Sequence, residues 1–189
     1  MIYAPMLKIN NCILKKCTPV EIEKLYGSDY GYELTCALRD FGKFNDINEK
    51  LDEEGKLNIY YCNACLDWIV YFDDKVIGNI VVENYNKENK SMNFSYYIDD
   101  NNWSLCKDLI IELLDYLFKN LDIENIIYVS PGSHAKEKEL MTEIGFEFLS
   151  MEESIINDKL NIKEIIYKSL ISKKIFYDSY SSMKENKQY

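Results

Sequence analysis

Arginine is almost missing from this sequence. Of 22 basic residues only Arg39 is an arginine, and His134 is the single histidine. Against them stand 32 acidic residues, for a formal net charge of -10 and an isoelectric point near 4.7. So acidic a chain lacks the basic surface that neutralises phosphates, and no nucleic-acid partner is expected. A cationic or amine-bearing partner is compatible with it, although acidity also serves solubility alone. Long apolar runs are missing too. None approaches the roughly 18 residues needed to span a bilayer, so no membrane partner is expected. Residues 1–8 lack a basic stretch followed by an apolar core and a small-residue cleavage site, so the chain is read as unexported and cytoplasmic. In that setting the six cysteines (Cys12, Cys17, Cys36, Cys62, Cys65 and Cys106) are expected to be reduced thiols. Cys62 and Cys65 have zinc or redox spacing, and Cys12 with Cys17 could complete a zinc site. One such pair is a weak signal, so free thiols are the preferred reading and no metal site is assigned.

What is present is core material. Hydrophobic residues make up 47% of the 189 residues and aromatic ones 14%, which suits one packed domain and argues against disorder. Residues 7–17 read as a first strand, and Thr18-Pro19-Val20-Glu21 supplies a cap, an N1 proline and a Glu at N3 for a helix. Residues 28–58 are polar, with weak helical signals near 32–40 and 45–54. Residues 66–72 and 76–82 read as strands joined by a tight turn at Asp73-Asp74-Lys75, and residues 92–98 as a third strand of the meander. Between Trp103 and Leu121, apolar residues recur at helical spacing at Leu105, Leu109, Ile110, Leu113, Leu114, Leu117 and Phe118. Residues 123–129 form a β-branched run without alternation, as in a strand buried on both faces and parallel to a neighbour. Pro131 breaks it, Ser133 can cap a helix running to Ile144, and Gly145 fits the left-handed position beyond that helix. Residues 146–156 and 160–170 predict a hairpin, and the polar residues 171–189 predict a frayed extension beyond a single domain over 1–170. The fold class is therefore α+β: a mixed, mostly antiparallel sheet with one parallel strand pair and helices on both sides.

That order of elements, with Val76-Ile77-Gly78, Pro131 and Glu143-Ile144-Gly145-Phe146, resembles the GNAT acetyltransferase superfamily. Leu14-Lys15-Lys16-Cys17-Thr18-Pro19 and Trp68-Ile69-Val70 look like its branch of ribosomal-protein N-terminal acetyltransferases. The resemblance covers about residues 7–170. It implies an acyl-CoA-dependent N-acetyltransferase with acetyl-CoA as co-substrate. The acceptor would be a primary amine on a small molecule or a protein N-terminus, and the oligomeric state is left open.

The resemblance also implies where the co-substrate lies. The parallel strands splay, the pantetheine arm occupies the gap beside Tyr96, Tyr97 and Ile98, and the diphosphate meets backbone N–H groups over Asn101, Asn102, Trp103, Ser104, Leu105, Cys106 and Lys107. The family's glycine-rich phosphate loop is replaced here by Asp99-Asp100-Asn101-Asn102-Trp103-Ser104, whose two carboxylates oppose a diphosphate unless they turn outward. The plainer reading is that Asn102 or Ser104 caps the helix. The Tyr that often protonates the leaving thiolate aligns with Met141, and family positions facing the co-substrate align with His134 and Glu137. His134 and Glu137, three residues apart, could serve as acid or base, or simply form a solvated helix start. Glu83, at the end of a strand, is a further candidate base. The rival reading is a catalytically impaired GNAT-like binding module.

Overall fold

The computed structural model describes residues 4–16, 66–131, 135–157 and 162–186. The expected helix at Thr18 and the helical signals of residues 28–58 lie outside these residues. Eight described strands, β1 (7–9), β2 (12–16), β3 (66–72), β4 (75–86), β5 (91–98), β6 (125–131), β7 (147–157) and β8 (162–172), form one mixed sheet in the order β1-β2-β3-β4-β5-β6-β8-β7, mostly antiparallel with one parallel pair. The chain divides into two compact units, Met1–Tyr85 with Tyr96–Leu121, and Asn86–Ser95 with Asp122–Tyr189.

In the first unit the expected single strand over residues 7–17 is two strands, β1 (Leu7–Ile9) and β2 (Cys12–Lys16), paired antiparallel. The split occurs because Asn10 takes a left-handed φ of 52°, which asparagine tolerates, and reverses the chain. β2 continues the ladder onto β3 (Leu66–Phe72), and β3 onto β4 (Lys75–Asn86). Asp73 and Asp74 both have positive φ, 49° and 60°, so the loop between β3 and β4 is the two-residue type I′ turn whose twist matches antiparallel strands. Trp68 is fully buried, and its indole Nε1 donates to the Pro5 carbonyl at 2.8 Å.

The helix expected from Trp103 starts differently. Asp100–Leu105 is a 3-10 helix, and α1 proper runs over Cys106–Asn120. Leu109, Ile110, Leu113, Leu114, Leu117 and Phe118 are all essentially fully buried along it. Each such side chain contributes about 1.5–3 kcal/mol of transfer free energy, so this stripe holds the helix in place more than intrinsic propensity does.

In the second unit, the first residues of β5 (Ser91–Ile98) pair parallel with β6 (Asn125–Pro131), as the β-branched run predicted. The register runs from Ser91–Asn125 to Phe94–Tyr128, although β5 continues to Ile98 and β6 to Pro131. The start of the pair is pinned: the Lys90 carbonyl accepts from the N–H groups of Glu124 and Asn125, and Lys90 Nζ lies 2.8 Å from Asp122. Helix α2 (Ala135–Ile144) ends on Gly145, whose φ is 109°. Phe146 N–H donates to the Met141 carbonyl and Gly145 N–H to that of Thr142, which is a Schellman stop. β7 (Glu147–Asn157) then pairs antiparallel with β8 (Ile162–Ser172).

The frayed extension expected after residue 170 is instead the end of β8 followed by a helix, α3 (Lys173–Asn186). Ser172 Oγ caps it by accepting from Ile175 N–H, and Phe176 and Tyr180 are buried and stacked at 5.3 Å. Those two rings supply the apolar face that a mostly polar sequence conceals.

Candidate functional site

The candidate site in the first unit begins at Gly78. A Cβ there would sit 2.1 Å from the Tyr97 carbonyl oxygen and 2.7 Å from Ile98 Cδ1. Only glycine lets the end of β5 come so close to β4, and Asp99 N–H then donates to the Ile77 carbonyl at 2.8 Å. Ile77 and Gly78 are thus the seat on which Tyr97, Ile98 and Asp99 rest. Ile98 points into the core, Tyr97 is exposed, and Tyr96 lies against Trp103 with ring centroids 6.5 Å apart.

From this seat the chain turns into the 3-10 helix. Asp99 is its N-cap: Oδ1 accepts from Asn102 N–H at 3.0 Å and from Asn102 Nδ2 at 2.8 Å. Neither Asn102 nor Ser104 caps the turn, and Leu105, at the N-cap of α1, makes no side-chain cap bond. Asp99 does not turn outward. Its carboxylate folds back onto a backbone donor of the turn, the kind of N–H that an anionic ligand would seek. Asp100, Asn101 and Ser104 face solvent, Lys107 is half-buried, and Cys106 is fully buried at the start of α1.

Glu83 stands near the end of β4, half-buried, and burial pushes its carboxyl above the ordinary glutamate range. Asp67 on β3 faces Val81 in the register, so alternation puts Asp67, Asn79, Val81 and Glu83 on one face of the sheet. Asn79 is buried and Asp67 Oδ1 is buried as well. The sequence reading missed Asp67. The alternation of Asp67 with Trp68 next to an otherwise apolar strand was its only signal.

The remaining candidates belong to the second unit. Glu137 is half-buried in the first turn of α2, and His134 lies outside the described residues, so the expected pairing of the two is not on view. Met141, aligned with the family's usual tyrosine, is fully buried; its thioether has no proton to give. Cys12 is a buried free thiol, while Cys17, Cys62 and Cys65 lie outside the described residues. Among the described residues no group of three or more His, Cys, Asp or Glu could hold a metal, and no helix is long and apolar enough to cross a membrane.

The model of the acetyltransferase (GNAT) domain family matches residues 59–162 of this chain. The chain is similar in structure to a GNAT-family acetyltransferase from Bacillus anthracis, with a TM-score of 0.60 and 16% identity over 90% of this chain and 99% of that one. It is similar to spermidine N-acetyltransferase from Vibrio cholerae in complex with CoA and spermine, with a TM-score of 0.59 and 16% identity over 88% and 98%. The N-terminal domain of ribosomal-protein-alanine acetyltransferase from Clostridium acetobutylicum gives a TM-score of 0.53 and 16% identity over 92% and 99%. At such identities the likeness establishes the fold. A search of curated proteins returns no match.

Proposed function

Because the chain belongs to the GNAT acetyltransferase family, we propose that it transfers an acetyl group from acetyl-CoA to a primary amine on a small molecule or a protein N-terminus. The observation that carries the reading is Glu83, a half-buried carboxyl with a raised pKa on the same sheet face as Asp67. Transfer requires the acceptor as a free amine beside the thioester carbonyl. A base whose pKa lies nearer the working pH takes up the ammonium proton more effectively than an ordinary glutamate. Two carboxylates on one face also suit a cationic acceptor, in keeping with the net charge of -10. One structural neighbour holds spermine and another is a ribosomal-protein acetyltransferase, so both acceptor classes remain in the proposal.

In this reading the end of β5 and the turn after it (Tyr96, Tyr97, Ile98 and Asn101 through Lys107) receive the acetyl-CoA. Glu83 removes the acceptor proton. Binding rests on the apolar arm more than on the diphosphate, because Asp99 already occupies the Asn102 N–H. Calorimetric titration of the purified chain with acetyl-CoA tests this, followed by amine acetylation assays with spermidine and with N-terminal peptides. Measurable but weak binding together with acetylated product is expected. No binding at about millimolar co-substrate, a level near the top of ordinary KM values, would overturn the reading in favour of a non-catalytic module.

A further inference from the structure

Six large hydrophobic side chains are exposed among the described residues, and four of them, Phe148, Leu149, Met151 and Ile165, lie on β7 and β8. Phe148, Met151 and Ile165 are 61%, 55% and 51% exposed. The strand register gathers them. Phe148 pairs with Ser169, Met151 with Tyr167 and Glu153 with Ile165, so alternation puts all six side chains on one face of the sheet. The next residue in the Ser169 row is Tyr128 of β6, which is buried with its ring against Phe146. Helix α2 reaches this face as far as Tyr167, where Lys138 Nζ sits 5.0 Å from the ring centroid. Beyond Lys138 the face presents Phe148, Met151 and Ile165 to solvent.

Four side chains about half exposed present roughly 300–400 Å² of apolar surface, given about 150–250 Å² for a whole aromatic side chain, and that matches the largest patch on a typical monomer. It is about half of the roughly 800 Å² that each partner gives to a stable interface, so a polar rim completes it. Strand addition is not the mode of contact. The register of β7 shifts between Phe148 and Ser150 and between Ile155 and Asn157, and such bulges interrupt the edge ladder that another strand would need. The face itself is the docking surface, and its charges identify the occupant. Lys138 stands on the α2 flank and Glu153 on the edge strand, so one cation and one carboxylate lie on opposite sides of the apolar centre. A net charge of -10 makes copies of this chain repel in general, but here each flank complements the other. Both groups already interact within their own chain, yet an ammonium has three donors and a carboxylate two oxygens, so each can take another partner.

We propose that this face binds a second copy of the chain. A twofold axis parallel to the strands stacks the two faces and lays β7 of one copy over β8 of the other. Lys138 of each copy then stands beside Glu153 of the other, as an isologous contact requires. Phe148 and Met151 form its apolar centre. The contact lies wholly within the second unit and does not depend on the acetyl-transfer reading.

Sedimentation velocity on the full-length chain, from nanomolar to millimolar concentration, tests it. A dimer with a micromolar or tighter dissociation constant is expected, the range found for interfaces of standard size. Met151→Asp and Phe148→Asp should each raise that constant about thirtyfold or more, the loss typical of a central interface residue. Met6→Asp, at an exposed apolar residue outside the patch, should leave it unchanged. Both patch residues are exposed, so the variants should stay folded, which circular dichroism checks. Charge exchange is the sharper arm. Lys138→Glu and Glu153→Lys should each weaken self-association, whereas an equimolar mixture of the two should dimerise about as well as wild type, because both contacts of the mixed dimer then join opposite charges. A wild-type monomer at millimolar concentration would overturn the proposal and leave the patch to a different protein. A dimer indifferent to both Asp variants, or a mixture no better associated than either charge variant alone, would overturn it as well.

Discussion

Replacing Gly78 by alanine isolates the contact on which the candidate site is seated. The added Cβ would lie 2.1 Å from the Tyr97 carbonyl oxygen, 2.7 Å from Ile98 Cδ1 and 3.0 Å from Ile98 Cα. The side-chain atom can swing aside, but the carbonyl belongs to the backbone of β5. Ordinary carbon–oxygen approaches begin at about 3.3 Å, so the strands must separate by about 1 Å there. That movement strains the 2.8 Å bond from Asp99 N–H to the Ile77 carbonyl and shifts the capped turn behind it. Overpacking that side chains can absorb costs about 1–3 kcal/mol, and a clash that backbone must absorb belongs at the upper end or beyond. At about 2–4 °C per kcal/mol for a chain of this size, Gly78→Ala should lower Tm by about 6–12 °C. It should also weaken acetyl-CoA binding more than the loss of stability alone explains. Gly145→Ala is the control. Its nearest atom, Ser179 Oγ, would be 3.6 Å from the new Cβ, so only the positive φ of 109° is penalised, at about 1–3 kcal/mol. Differential scanning calorimetry and acetyl-CoA titration on both variants decide the matter. A Gly78→Ala protein with wild-type Tm and wild-type affinity would refute the close-approach argument.

Three further outcomes are expected. Glu83→Gln should lower the acetylation rate about 10²-fold, the range typical of a general base, and remove an acid limb lying above the ordinary glutamate pKa from the pH–rate profile. Because burial raises the Glu83 pKa in the folded chain, its neutral form is favoured; that contribution is complete below the unfolded pKa and lost as pH rises through the folded one. Denaturation at neutral pH should therefore find Glu83→Gln more stable than wild type, and a less stable variant would contradict the desolvation argument. Asp99→Ala removes a cap worth about 0.5–2 kcal/mol but frees the Asn102 N–H, so urea denaturation should show lower stability while calorimetry shows tighter acetyl-CoA binding; unchanged affinity would mean that the carboxylate does not obstruct the ligand. Phe176→Ala should cost about 3–5 kcal/mol, as for other buried aromatic side chains, and a urea midpoint near wild type would show that α3 is dispensable.

Several elements were readable because their causes are local. The stripe from Leu109 to Phe118 is written at helical spacing, and the β-branched run before Pro131 marks a strand with a parallel partner. Asp73-Asp74 can accept the left-handed dihedrals of a tight turn, and Gly145 the helix stop. Residue type and short-range order are enough for these. What they could not supply is whatever depends on groups distant in sequence. The docking of the Asp99 N–H onto the Ile77 carbonyl, which seats the turn on β4, is one such contact. The pKa of Glu83 depends on how much water its surroundings exclude, and that is a property of the packed sheet. Asp67 gained significance only from its place opposite Val81. The polar sequence after Ser172 conceals a helix because two aromatic rings, Phe176 and Tyr180, carry the burial that a longer apolar pattern would otherwise announce. By itself the sequence determined the periodic elements, the turns and the family they compose. Tertiary structure alone decided which carboxylates are desolvated and which are spent on the backbone, because solvation is set by neighbours that only folding brings together.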